Sequence, residues 1–163
     1  MSCDTDVSIS IRSEDKAALE AAIKWQIEKE KLWAKCKDKH GGIKEKEAKK
    51  ALKDHGLTEM SQLVTWGMDF DKKTKPRKAR GEDYYQVKTD MWANENGRNQ
   101  HITGEDGELS LFLKANPDVW IEGEWSSEYD MEGTIEARWC VKKKKFISPC
   151  GTYHGDLGGG GEW

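Results

Sequence analysis

Apolar and polar residues alternate first at Val7-Ser8-Ile9-Ser10-Ile11, a period of two that reads as a strand burying Val7, Ile9 and Ile11 on one face. Ser13 is placed to cap a following helix, with Glu14 and Asp15 set favourably against its positive end. The pattern then becomes helical and holds to about His40, where Gly41-Gly42 supplies a left-handed stop. Such a helix would span roughly 40 Å. Leu19, Ala22, Ile23, Ile27 and Ala34 share one arc of it, suited to packing on a sheet. Ala18, Ala21, Trp25, Leu32 and Cys36 form a second, displaced arc. That arc calls for a second helix as cover, or for a partner or dimer surface built around Trp25 and Leu32.

A covering helix is available in Lys44 to His55, with Ala48, Ala51 and Leu52 as its apolar seam and Gly56 as its stop. Thr58 can cap a short helix carrying Met60, Leu63 and Val64, ending near Gly67. The stretch from Ala48 to Trp66 has the outline of a helix-turn-helix without its usual spacing. Residues 71–83 read as a mobile polar loop whose one apolar side chain is Ala79. Tyr84 to Trp92 reads as a strand with Tyr85, Val87, Thr89 and Met91 on one face, and Asn94 to Gly107 as a long turn.

Leu109 to Lys114 is a short buried helix, stopped by Asn116-Pro117-Asp118 because proline cannot continue the ladder. On the next strand Val119, Ile121, Gly123 and Trp125 face inward, while Trp120, Glu122 and Glu124 face outward. Ile135, Ala137, Trp139 and Val141 repeat the inward pattern on the return strand, where Arg138 is expected to pair across the hairpin with Glu122 or Glu124. Phe146-Ile147 adds a last short strand. These elements predict an α+β protein: a ferredoxin-like antiparallel sheet covered on one face by a long N-terminal helix and shorter helices. Residues 1–149 form the single domain, and the glycine-rich 150–163 a flexible tail.

Composition adds a heavily charged surface. Of 163 residues, 36% are apolar and 35% charged, and the eight tryptophans make large anchors the main carriers of burial. The net charge of −3 conceals opposed blocks. KKTKPRKAR at 72–80 holds six bases, whereas 118–136 holds seven carboxylates up to Glu136 without an intervening base. None of Cys3, Cys36, Cys140 and Cys150 forms a CxxC, and the polar, acidic N-terminus does not read as a signal peptide. Reduced thiols and a cytoplasmic location are therefore expected, with no membrane partner because no apolar run approaches ~18 residues.

Several short motifs occur in a telling order: Thr65-Trp66-Gly67, Leu109 to Phe112, Asn116-Pro117-Asp118, then Tyr129 and Gly133 in the hairpin. In this the chain resembles the YubB-like, ferredoxin-like proteins carried by phages and plasmids. Asn116 stands where that family has an aromatic, and a second Trp-Lys motif is not evident. The resemblance implies a mobile-element origin, host cytoplasm as the location and an α+β fold. It implies no activity.

Catalytic readings find little to rest on. Glu122, Glu124, Glu128, Asp130 and Glu132, flanked by Trp120 and Trp125, can be drawn as a hydrolase pair beside a sugar platform, but Glu122 and Glu124 lie only about 7 Å apart by strand rise. They suit a cation-binding or anion-mimicking surface better. Cys150, His154 and Asp156, with Cys140, lack a zinc spacing. Cysteine nucleophiles with His101 or His154 have no supporting pattern, and no phosphate-binding glycine loop appears. No cofactor is implied. The expected function is a non-catalytic binding protein that occludes a host protein such as a defence component. Its contacts would come from Trp25, Leu32, Trp92, Trp120, Trp163 and the charged residues Glu122, Glu124 and Glu128. The alternative is a nucleic-acid-binding module using Lys75, Arg77 and Arg80 of the basic loop, Lys142 to Lys145, and Tyr84, Tyr85 and Trp92 for stacking.

Overall fold

A computed structural model of the chain describes residues 4–59, 62, 68, 70–94, 107–127 and 132–147. Strands β1 (Asp4–Ser13), β2 (Arg77–Lys78), β3 (Tyr85–Asn94), β4 (Trp120–Ser127), β5 (Glu132–Cys140) and β6 (Lys145–Ile147) form one antiparallel sheet, in the order β2-β3-β1-β4-β5-β6. Helices α1 (Lys16–Cys36), α2 (Glu45–Asp54) and α3 (Glu108–Ala115) complete the described elements. The fold is α+β, as the alternation of periods predicts. β3 and β4 are each antiparallel to β1 and so run parallel to one another across it, with α3 on the connection between them.

The inward faces fall where the period of two puts them. Val7, Ile9 and Ile11 are buried, as are Val87 and Met91 on β3, Ile121 on β4, and Ile135 and Ala137 on β5. Leu19, Ala22 and Ile23 of α1 close over them with Leu109, Phe112 and Leu113 of α3, and Met68 and Phe70 join the same core. Gly123 permits the central contact. A Cβ there would strike the Ser8 carbonyl oxygen and lie 2.7 Å from Ile9 Cα, so β1 and β4 approach closely only because the side chain is missing.

Several boundaries differ from expectation, for local reasons. Asp15 caps α1, its Oδ1 accepting from the Ala17 amide at 2.9 Å. Ser13 instead ends β1, fully buried, donating to the Asp118 carbonyl at 2.9 Å and accepting from the Asp15 amide. The helix stops at Cys36 rather than His40, because Asp38 Oδ1 accepts from the His40 and Gly42 amides and so offers the backbone a turn in place of a helical ladder. Gly41 takes the left-handed conformation in that turn, which a Lys37–Ile43 bridge closes. Ala34 is exposed, and Val141, expected on the inward face, is 61% exposed because β5 ends at Cys140 and the chain turns.

Gly56 does end α2. It sits at φ +69°, its amide donating to Lys53 O and that of Leu57 to Leu52 O, which satisfies the last carbonyls. The C-terminal part of the second arc of α1 lies under this helix: Cys36 packs with Ala48 and Ala51, and Leu32, Trp33, Leu52 and Leu57 surround them, whereas Ala21 is exposed. Residues 71–83 contain more structure than their composition suggests. Asp71 and Thr74 close a turn, Arg77–Lys78 pairs with β3, and Ala79 is buried. Ladder hydrogen bonds need backbone, not apolar side chains, so the pattern hides a short edge strand. The expected cap at Thr58 takes another form, with Gln62 Oε1 accepting from the Thr58 and Glu59 amides at 2.9 and 3.0 Å. Met60, Leu63, Val64, Thr65-Trp66-Gly67, Tyr129, the turn after Asn94 and the 150–163 tail lie outside the described residues.

Gly123→Ala should lower stability by about 3 kcal/mol, because two strands would have to part. Gly41→Ala, which has open space but positive φ, should cost about 1 kcal/mol. Urea midpoints at unchanged slope would measure both.

Candidate functional site

With the helices on one face, the outward residues of the strands make the other. Their register sets them in rows. The first row reads Arg77, Gln86, Arg12, Trp120, Arg138 from β2 to β5. The second reads Lys88, Ser10, Glu122, Glu136, and the third Asp90, Ser8, Glu124, Thr134. Successive rows stand about 7 Å apart. One end of the face is thus guanidinium-rich and aromatic, and carboxylates gather in the two rows behind it.

Arg12 organises the first row. Its Nε donates to Ser10 Oγ at 3.2 Å, its guanidinium pairs with Glu122, and its Cζ lies 4.6 Å from the centre of the Tyr84 ring. Tyr84 in turn meets Trp120 edge-on, with ring centres 5.9 Å apart. Ser10 Oγ donates to Gln86 Oε1 at 3.0 Å. Each partly exposed contact is worth about 1 kcal/mol or less. Together they hold an arginine and two aromatic rings in one arrangement, which is how a surface anchor avoids losing rotamer freedom on binding.

Trp120, Glu122, Glu124 and Arg77 thereby come together on this face. In the register Arg138 stands opposite Trp120, and Arg12 of β1 pairs with Glu122. Lys75 lies elsewhere, in a groove beside α1, and Arg80 is exposed in the turn after β2. Trp25 and Leu32 belong to the helix layer. Trp25 stacks on His55 with centres 4.7 Å apart and meets Phe112 edge-on, and Leu32 packs beside α2, so both are partly covered by the helix layer. Trp92 sits on β3 opposite Asp6, and its side chain lies outside the described residues, as do Glu128, Trp163, Cys150, His101, His154 and Asp156. Among the described residues no three His, Cys, Asp or Glu gather as metal ligands, and no helix is long and apolar enough to cross a membrane.

Two features escape the sequence pattern. Arg12 joins Tyr84, a stacking candidate in the sequence, and Trp120 only because β1 lies between β3 and β4, which no local period reveals. The other is a polar cluster inside the helix layer, where Gln26 and Lys29 are wholly buried and Glu108 is 2% exposed. Gln26 Nε2 donates to Glu108 Oε1 at 2.7 Å, and Lys29 Nζ lies 5.7 Å from the centre of the Trp25 ring. A signal existed, since Gln26 and Lys29 follow Ala22 at the helical offsets of its buried face. Burial pushes the Lys29 ammonium below its usual range, against the opposing pull of Glu108 and Glu30. Burial likewise lowers His55, while burial, reinforced by Glu47, raises the Cys36 thiol and leaves it a poor nucleophile.

Compared with protein-family models, curated proteins and solved structures, the chain has no match.

Glu108→Gln should cost about 3 kcal/mol at neutral pH by removing the larger of the two carboxylate attractions on the buried Lys29 ammonium. Because the folded pKa of Lys29 lies below its unfolded value, the unfolded chain holds the proton more tightly, and stability rises with pH between the two values. The deficit should therefore shrink as pH climbs towards 10.5, as urea titrations across the alkaline range would show.

Proposed function

We propose that this chain is a non-catalytic binding protein of phage or other mobile-element origin. It docks a host protein, such as a defence component, on the open face of its sheet and occludes it in the host cytoplasm. The observation that carries the reading is the Arg12–Tyr84–Trp120 anchor, held in place beside rows of carboxylates. A large ring centred in a polar field is the composition of an interface hot spot, and a bipolar field selects partner and orientation. The mobile-element origin rests on the family resemblance. The ferredoxin-like reading draws support from the β3-α3-β4 unit split by β1 and from the β2-β3 hairpin that lies between the two helical connections, with β5 and β6 added beyond β4.

Nucleic acid is the second reading, favoured by the single row that holds Arg77, Arg12, Arg138 and Trp120. Glu122, Glu136, Asp90 and Glu124 share the face and would repel a phosphate backbone crossing it, so a protein partner is preferred.

Capture from host lysate, quantified against Trp120→Ala and Glu124→Arg, tests the proposal. Trp120→Ala should reduce recovery of the partner at least tenfold while the melting temperature stays within a few degrees. A captured protein indifferent to both variants would sink the docking face. A mobility shift on single-stranded RNA that fades steeply with salt, and flattens in Arg77→Glu, would replace it with the second reading.

A further inference from the structure

On the other side of the molecule a groove of 540 Å³ runs between α1 and the segment 71–76 that leads into β2. Its volume falls in the range of small-ligand and peptide sites. Its α1 wall extends from Lys16 to Lys31, about 22 Å along the helix axis, the length of some seven extended residues. The apolar part of the lining is Ile23, Ile27 and Pro76.

The charges are not balanced. Glu20 and Glu28 line the groove, but each already pairs along the helix, with Lys16 and Lys24. Asp71 is engaged in its own turn, accepting from the Lys73 amide and the Thr74 hydroxyl. Lys31, Lys72 and Lys75 remain, all exposed, and among the described residues none of the three has an ion pair. The groove therefore joins an aliphatic strip to three uncommitted ammonium groups contributed by two segments distant in sequence.

We infer that this groove docks an acidic, apolar-anchored peptide segment of a partner protein. Leucine- or isoleucine-type side chains would cover the half-buried Ile27 and Pro76 above the buried Ile23, and flanking carboxylates would meet Lys31, Lys72 and Lys75. A single-stranded nucleic acid fits less well, because the lining offers no aromatic ring for stacking and places three carboxylates against the phosphates. The inference is independent of the sheet face, since the two surfaces share no residue.

The test is fluorescence anisotropy on the full chain with a labelled heptapeptide alternating glutamate and leucine. Its lysine-for-glutamate counterpart and a 12-nucleotide oligo-dT serve as competitors. The acidic peptide should bind with micromolar affinity. It should weaken at least tenfold in the double variant Lys72→Glu/Lys75→Glu, whose changes are on exposed side chains and leave the fold intact. Trp120→Ala, which disables the sheet face, should leave this binding unchanged, so the two proposals fail separately. Lack of binding at millimolar protein would overturn the inference. So would equal affinity for the basic peptide, indifference to the double variant, or tighter binding of the oligonucleotide.

Discussion

β1 is hydrogen-bonded along both edges, to β3 on one side and β4 on the other, and the placement of every other surface follows from that double pairing. With a side-chain period of two, slipping either neighbour by one residue would turn its whole apolar set outward. Gly123 is where the register is most tightly specified, since the Ser8 carbonyl leaves no room for a side chain at that position. The same pairing puts Arg12 between Gln86 and Trp120, and so assembles a guanidinium, a phenol and an indole from three distant parts of the chain.

The helix layer is built under a different constraint. Its apolar seam is narrow, and Gln26, Lys29 and Glu108 occupy buried positions that aliphatic residues could fill. An ammonium group taken out of water is costly unless an opposite charge is near, and Glu108 supplies one. Gln26 then ties that carboxylate to α1, and this hydrogen bond couples the long helix to α3. The stack of Trp25 on His55 extends the coupling to the end of α2. Orientation of the three helices thus rests partly on polar contacts with directional geometry, which specify a packing more sharply than aliphatic contact does.

The two proposed surfaces differ in how they are held. The sheet face is carried on paired strands, its arginine and aromatics in contact with neighbours on adjacent strands. The groove has one helical wall and one wall made of the 71–76 turn that leads into the two-residue edge strand, a segment with no buried residue. Local opening costs least in such places. A partner segment that lies there would gain from ordering the 71–76 wall against α1, whereas a partner on the sheet meets a finished surface.

Much of the fold was legible before any coordinates. Alternation at Val7–Ile11, at Tyr85–Met91 and at Val119–Trp125 reports which residues face inward, because strand geometry converts parity directly into burial. Gly56, Pro117 and the seam of Ala48, Ala51 and Leu52 mark helix ends and faces for equally local reasons. The exposure of Trp120, Glu122 and Glu124 on one face was readable in the same way. Their company was not. That Arg12 meets Glu122, that Trp25 stacks on His55, and that Lys75 and Lys31 line one groove all depend on contacts between segments far apart in the chain. Periodicity carries no information about which strand lies beside which, so the chain by itself determined its elements and their inward faces. Only tertiary pairing decided which outward residues became neighbours, because strand order and helix packing are settled by the joint burial of all the elements at once.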